Sequence, residues 1–162
     1  MCIRDRFDID PGPQYFAFLS EFLVFLIQVA DRIANKQLEG THRADFTTAL
    51  VIRVAEILEE NQDTLLGSPV ERSYRSQFIE LFNEESTDYA TMGYGEAEPD
   101  FAFLRYLGNR VMHIMIKKDQ SWVIDQIMEI EAPQAVADIR KGMQGLFDST
   151  PRPARKERIS GD

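Results

Sequence analysis

The sequence predicts an all-α fold, a single-domain bundle of about six helices with a long hydrophobic first helix at its centre. Apolar residues recur every three or four positions in each segment, and no stretch shows the sustained alternation of a strand. Proline, glycine and Ser/Thr punctuate those segments where helix ends require them. A length of 162 residues fits one domain, and 44% hydrophobic with 28% charged residues is the balance of an ordinary globule.

The first helix is expected over 14–38, after the stop DPGP at 10–13, with Gly40 ending it and Thr41 capping the next. Over 42–60, Phe46, Leu50, Val54, Ile57 and Leu58 share one helical face. GSPVE at 67–71 reads as a helix start, with Ser68 as N-cap, Pro69 in the first turn and Glu71 closing a capping box. That helix is expected to bury Val70, Tyr74, Phe78, Leu81 or Phe82, and Tyr89. Pro99 suits the start of a fourth helix whose stripe is Phe101, Leu104, Leu107, Val111, Ile114 and Met115, running through 117. Asp119 or Ser121 caps a short fifth helix with Trp122, Ile127 and Ile130. Pro133 opens the last, with Val136, Ile139, Met143, Leu146 and Phe147.

Both ends stand apart from the helical domain at 7–147. The opening MCIRDR resembles translated sequencing adapter from metagenomic assemblies, so residues 1–6 are set aside as non-native or disordered. Residues 148–162 have no apolar period and read as a disordered basic tail, a plain charged end rather than an interaction arm.

Charge and cysteine usage exclude several functions. The net charge is −9; each end nets +1, which leaves the body at −11. A body that acidic is repelled by phosphate backbones, so nucleic-acid binding by the folded part is not expected. Cys2 is the only cysteine, which rules out an internal disulfide and a cysteine metal cluster, and suits a reducing, cytoplasmic setting. YFAFLSEFLVFLIQVA at 15–30 is interrupted by Glu21 and Gln28, short of a membrane span. Glu21, Gln28, Asp31, Arg32 and Asn35 instead form a narrow polar stripe on one side of the first helix. If that stripe faces inward, Glu21, Asp31 and Arg32 need partners, for which Arg105 or Arg53 are candidates.

No metal, cofactor or catalytic set emerges. The one Glu-x-x-His, Glu39–His42, is split by Gly40, and Arg110 stands three residues before His113, so a di-iron centre is rejected. Haem ligation by His113 alone is outweighed by its reading as an ordinary helical histidine. The adjacent pairs Glu59–Glu60 and Glu84–Glu85 splay about 100° apart and read as solvated faces. The six acids between 84 and 100 lack the spacing of a calcium loop, and Glu98 and Asp100 suit a helix N-terminus instead.

EAEPDFAFLRYL at 96–107 resembles the Glu–Pro–Asp stretch that opens a helix in the helical chaperones assisting molybdoenzyme maturation. The likeness covers about a dozen residues, and Asp100–Phe101 stands where those proteins carry Asp-His. It implies, at most, a chaperone-like role.

The binding candidates are Tyr94, Glu96, Phe103, Tyr106, Arg110 and His113, with Lys117 on the same side of the fourth helix. Aromatics crowd round the loop (Tyr89, Tyr94, Phe101, Phe103, Tyr106), and aromatics favour contact surfaces. The leading expectation is therefore a non-enzymatic protein-interaction or adaptor module. The alternative is a small-molecule or cofactor-binding bundle whose Phe-lined cavity uses Glu21, Arg32 or His113 to orient the ligand. Homodimerisation through the first helix fits either, and residues 91–98 form either a site or a hinge, with the hinge preferred.

Overall fold

The computed structural model describes residues 12–148. Among them every regular element is helical: α1 (Pro13–Ala34), α2 (Thr41–Leu66), α3 (Tyr74–Tyr89), α4 (Phe101–Met112), α5 (Gln120–Gln126) and α6 (Ala132–Phe147). A π-turn, Ile127–Glu131, joins the last two without a break, so the chain has five separate helical runs rather than about six. The expectations for residues 1–6 and for the tail from 149 lie outside the described residues.

α1 packs against α2, α3, α4 and α6. Its Val24, Phe25 and Val29 are wholly buried, together with Tyr89 of α3, Phe103, Leu107 and Val111 of α4, and Val123 and Ile127 further on. A chain of rings links α1 to α4 and α3. Phe22 meets Phe25 at 6.3 Å, Phe25 meets Phe103 at 5.7 Å, and Phe103 meets Tyr89 at 4.7 Å. Each such edge-on or tilted pair adds about 0.5–1.5 kcal/mol beyond the area it buries. A smaller cluster of Ala30, Ala34 and Met143 seals α1 against α6. No helix among the described residues is long and apolar enough to cross a membrane.

Several helix ends differ from expectation. α1 stops at Ala34, because Arg43 reaches back to Asp31 and Asn35 and folds α2 onto its last turn. Gly40, at φ 55, precedes α2 and makes the reversal that a side chain would resist. α2 continues to Leu66 rather than 60, and the Asn61 and Thr64 side chains within that extension donate back to the carbonyls of Ile57 and Glu60. That extension uses the room in which GSPVE would have started α3. The N-cap is Ser73, whose Oγ accepts from the Ser76 N–H at 3.1 Å. Ser68 and Pro69 lie in the connection, and Val70 is fully exposed.

Pro99 likewise does not begin α4. It pairs with Tyr94 across a tight turn, and Asp100 takes the N-cap position. α4 ends at Met112 instead of 117, and Phe101 is left 67% exposed while Phe103 goes to the core. Gly108 is buried where α4 meets α5; a Cβ there would come within 3.2 Å of Ile124 Cγ2.

The expected gap before Pro133 is bridged by the π-turn. The buried positions run Val123, Ile127, Ala132, Val136, so one step spans five residues where its neighbours span four. The Ala132 N–H bonds the Ile127 carbonyl five residues back, which absorbs the extra residue and keeps both halves facing the core. Pro133 has no N–H for an α-type bond, and the wider turn accommodates it.

Candidate functional site

The polar stripe on α1 does turn inward. Glu21 is 5% exposed and stands about one helical turn from both the buried Phe25 and the buried Phe18. Its partner is Arg110 of α4, which donates from Nη2 at 2.9 Å and from Nε at 3.2 Å, both to Glu21 Oε1. Arg53 and Arg105, the partners expected from sequence, are exposed; Arg53 pairs with Glu56 on its own helix. Asp31 pairs with Arg43 and accepts from Thr47 at 2.7 Å. Gln28 donates to Ser86 Oγ at 2.7 Å. Arg32 caps the end of α3, donating to the carbonyls of Tyr89 at 2.8 Å and Met92 at 3.2 Å while lying over the Phe103 ring.

Glu85 is the main correction. Expected on a solvated face, it is 2% exposed and sits in the buried stripe of α3, between Phe78 and Tyr89. Arg110 Nε lies 2.9 Å from Glu85 Oε1, but its N–H is aimed at Glu21. Neither Glu85 oxygen accepts a hydrogen bond from an N–H or O–H of the described residues. Burial, and then the neighbouring Glu21 carboxyl, push Glu85 up to about 9 against the opposing pull of Arg110. The two carboxyls therefore share one proton at neutral pH beside one guanidinium, a cluster of zero net charge. Tyr89 Oη is buried without a hydrogen-bond partner among the described residues, and burial raises its phenol well above the usual value. Tyr106, on the outer side, donates to Asp88 Oδ2 at 2.7 Å.

The six expected binding residues separate into two groups. Phe103, Tyr94 and Tyr106 join the aromatic chain, with Tyr94 at 5.7 Å from Phe103 and Tyr106 at 4.7 Å from Tyr89; Arg110 continues it into the carboxyl pair. Glu96 and His113 are exposed, the latter at the C-terminal end of α4, and Lys117 lies beyond that helix. The turn at 91–98 is packed shut. Gly95 N donates to Glu98 O at 2.8 Å, and Asp100 N to Gly93 O at 3.2 Å. Lys36 of α1 donates to the carbonyls of Gly95 and Glu96, and Arg140 of α6 to that of Ala97.

Glu21 also opens onto a cleft of about 470 Å³ between α1, α2 and α3. Phe16, Leu58, Phe78 and Ile114 supply its apolar bed; Gln62, 9% exposed, adds an amide. Among the described residues of the lining, Glu21 is the only charged one. Three side chains of the lining donate to main-chain carbonyls: Ser20 to Phe16, Tyr74 to Gly67 and Gln77 to Arg72. On the other side of the α1–α2 seam, a groove of about 430 Å³ is formed by Leu19, Leu23, Val54, Ile57 and Leu65. No group of three or more His, Cys, Asp or Glu among the described residues could hold a metal ion.

Sequence reasoning missed Glu85, and it named a Phe-lined cavity with Glu21, Arg32 or His113 without placing it between α1, α2 and α3. The signal for Glu85 was available, since it falls seven residues after Phe78 and four before Tyr89, in register with the apolar stripe. The chain matches no protein-family model, no curated protein and no solved structure.

Proposed function

We propose that this chain is a ligand-binding helical bundle that holds a small molecule in the cleft between α1, α2 and α3. One observation carries the reading: an apolar cleft of about 470 Å³ has a carboxyl, 5% exposed, set in its wall. Ligand sites combine this volume range with an apolar lining and a few placed polar groups. Burying a carboxyl without use costs stability, and Glu21 is retained there with a second carboxyl and an arginine to support it. The aromatics that favoured a contact face, Tyr89 and Phe103 above all, are consumed in the core.

Ala17 is exposed and lines the cleft, so Ala17→Trp fills it without touching the core. Titration with an apolar environment-sensitive dye should give saturable binding to the parent chain and at least about tenfold weaker binding to the variant, a loss of about 1.4 kcal/mol. Equal binding by both, with the helical content unchanged, would remove the cleft from consideration.

A protein-interaction reading keeps the support of the α1–α2 groove, where Ile57 is 43% and Leu65 66% exposed beside Leu19 and Leu23. Exposed apolar surface of this kind favours a partner.

A further inference from the structure

A second cleft, of about 500 Å³, lies at the other end of the same three helices, where α1 ends, α2 begins and α3 stops. Its charge is the reverse of the first. Arg32 and Arg43 line it with Asp31 as the one acid among the described residues there, so this wall carries +1 in a body that carries −11. The acid is already answered. Asp31 Oδ1 accepts from Arg43 Nε at 3.0 Å and from Thr47 at 2.7 Å, and Oδ2 accepts from Arg43 Nη2 at 2.5 Å. Arg32 is answered only in part. Among the described residues it pairs with no carboxylate, and its two bonds, from Nη1 and Nη2, go to the main-chain carbonyls of Met92 and Tyr89. Those carbonyls bring the partial charge of a helix C-terminus, about half a unit, against a full positive charge. A guanidinium has five N–H donors; two are in use, which leaves three, the Nε–H among them. Arg32 is half-buried and its unbonded Nε is not one of the enclosed polar atoms, so that edge of the fork reaches solvent. The exposed Asn35 beside it accepts from Arg43 with its amide oxygen, which leaves its NH2 as a donor. A cation would meet Arg32 with no uncommitted carboxylate in the wall, whereas an oxyanion would meet an unpaired charge and N–H donors.

We propose that this second cleft binds a small oxyanion, the carboxylate or phosphate of an organic ligand, with Arg32 donating to its oxygens while Arg43 and Asn35 add charge and an amide beside it. A guanidinium fork suits either head group, because its N–H pairs fit two oxygens at once. The volume exceeds the needs of a bare ion and falls in the range of small-molecule sites, so the ligand carries an organic part, to which Phe82 and Ala90 offer apolar contact. The two clefts share three helices and no lining residue, so this site stands whether or not the first one holds a ligand.

Phenyl phosphate, benzoate and benzyl alcohol share one ring and differ in the head group. Titrating each into the ¹⁵N-labelled full chain at pH 7 and constant ionic strength, followed by two-dimensional NMR, reads affinity and place together. Phenyl phosphate or benzoate should bind saturably with a Kd below about 10 mM, and at least about tenfold more tightly than benzyl alcohol. The Arg32 Nε–H and the main-chain N–H groups of 28–35, 43–47 and 86–90 should shift together, and the tighter of the two anions identifies the head group. Ala90→Glu places a carboxylate in the lining from an exposed position at the end of α3. It should weaken anion binding at least about tenfold, whereas Ala90→Gln, of the same size, should not. Should Ala90→Glu not fold, Asn35→Asp, which can still accept from Arg43, adds the same charge from α1. Ala17→Trp, in the first cleft, should leave anion binding as it is, which separates the two sites. Equal binding of benzyl alcohol, shifts confined to other residues, or no binding of either anion up to about 10 mM overturns the assignment and leaves the first cleft to its own dye titration. A loss that Ala90→Gln shares with Ala90→Glu overturns it as well, because bulk and not charge would then be responsible.

Discussion

Arg110 neutralises only one of the two carboxyls it touches, and that inequality governs the interior chemistry. Two anions and one cation at this depth would leave a net buried charge, so the cheaper state keeps a proton on Glu85. The native Glu85 holds that proton up to about pH 9, whereas the unfolded chain releases it near the ordinary value of 4.5. This group's contribution to stability is therefore complete below about pH 4.5 and declines as pH rises towards 9. Glu85→Gln is neutral throughout, so urea denaturation should show it gaining on the parent chain from pH 5 to pH 8, by on the order of a few kcal/mol at the top. Parallel stability curves for the two proteins would mean that Glu85 is ionised in the fold. Glu21 was visible in the sequence as an acid within an apolar run. Glu85 was concealed by Glu84, because a pair of adjacent acids looks like surface until the period of the flanking apolar residues is followed through it.

At the scale of the element, the helices were legible and their ends were not. Apolar periodicity located α1 to α4 because a buried stripe is a property of many residues at once. A cap depends on one or two, and local signals compete for it. GSPVE lost to Ser73 because α2 overran its expected end, an outcome set by packing between helices and absent from the five residues themselves. The π-turn shows the same limit in reverse, since Pro133 suggested a break and the five-residue step from Ile127 to Ala132 healed it. Deleting the exposed Glu129 shortens that step to four and leaves both buried faces in register. We expect the deletion to keep the fold and its cooperative melt at a cost of about 3 kcal/mol, because Pro133 then stands inside a regular α-helix. Deleting Gln134 instead turns Met143 by about 100° away from α1 and should abolish cooperative thermal unfolding. Circular dichroism melts of the two deletions check the pair, and equal damage from both would count against the turn as the absorber of the extra residue.

For the whole molecule, the all-helical class followed from composition and period, whereas the position and lining of the cleft did not, because a cavity is the space between helices and no residue pattern encodes its shape. The groove on the far side of the α1–α2 seam belongs to this scale too. If it is an interface between copies of the chain, light scattering at about 100 μM should report a dimer and Leu65→Glu a monomer, since an exposed charge in an apolar interface costs several kcal/mol. A monomeric parent chain ends that interpretation. The turn at 91–98 carries a different kind of consequence. Arg32, Lys36 and Arg140 hold it mainly by the carbonyl oxygens of Tyr89, Met92, Gly95, Glu96 and Ala97, and the one side chain they meet there is Glu98, 3.9 Å from Arg140. A grip on main-chain atoms is indifferent to the residues it holds. The tip of this turn is thus a place where sequence can drift, or a short tag be grafted, while the three cations go on fastening it to α1 and α6.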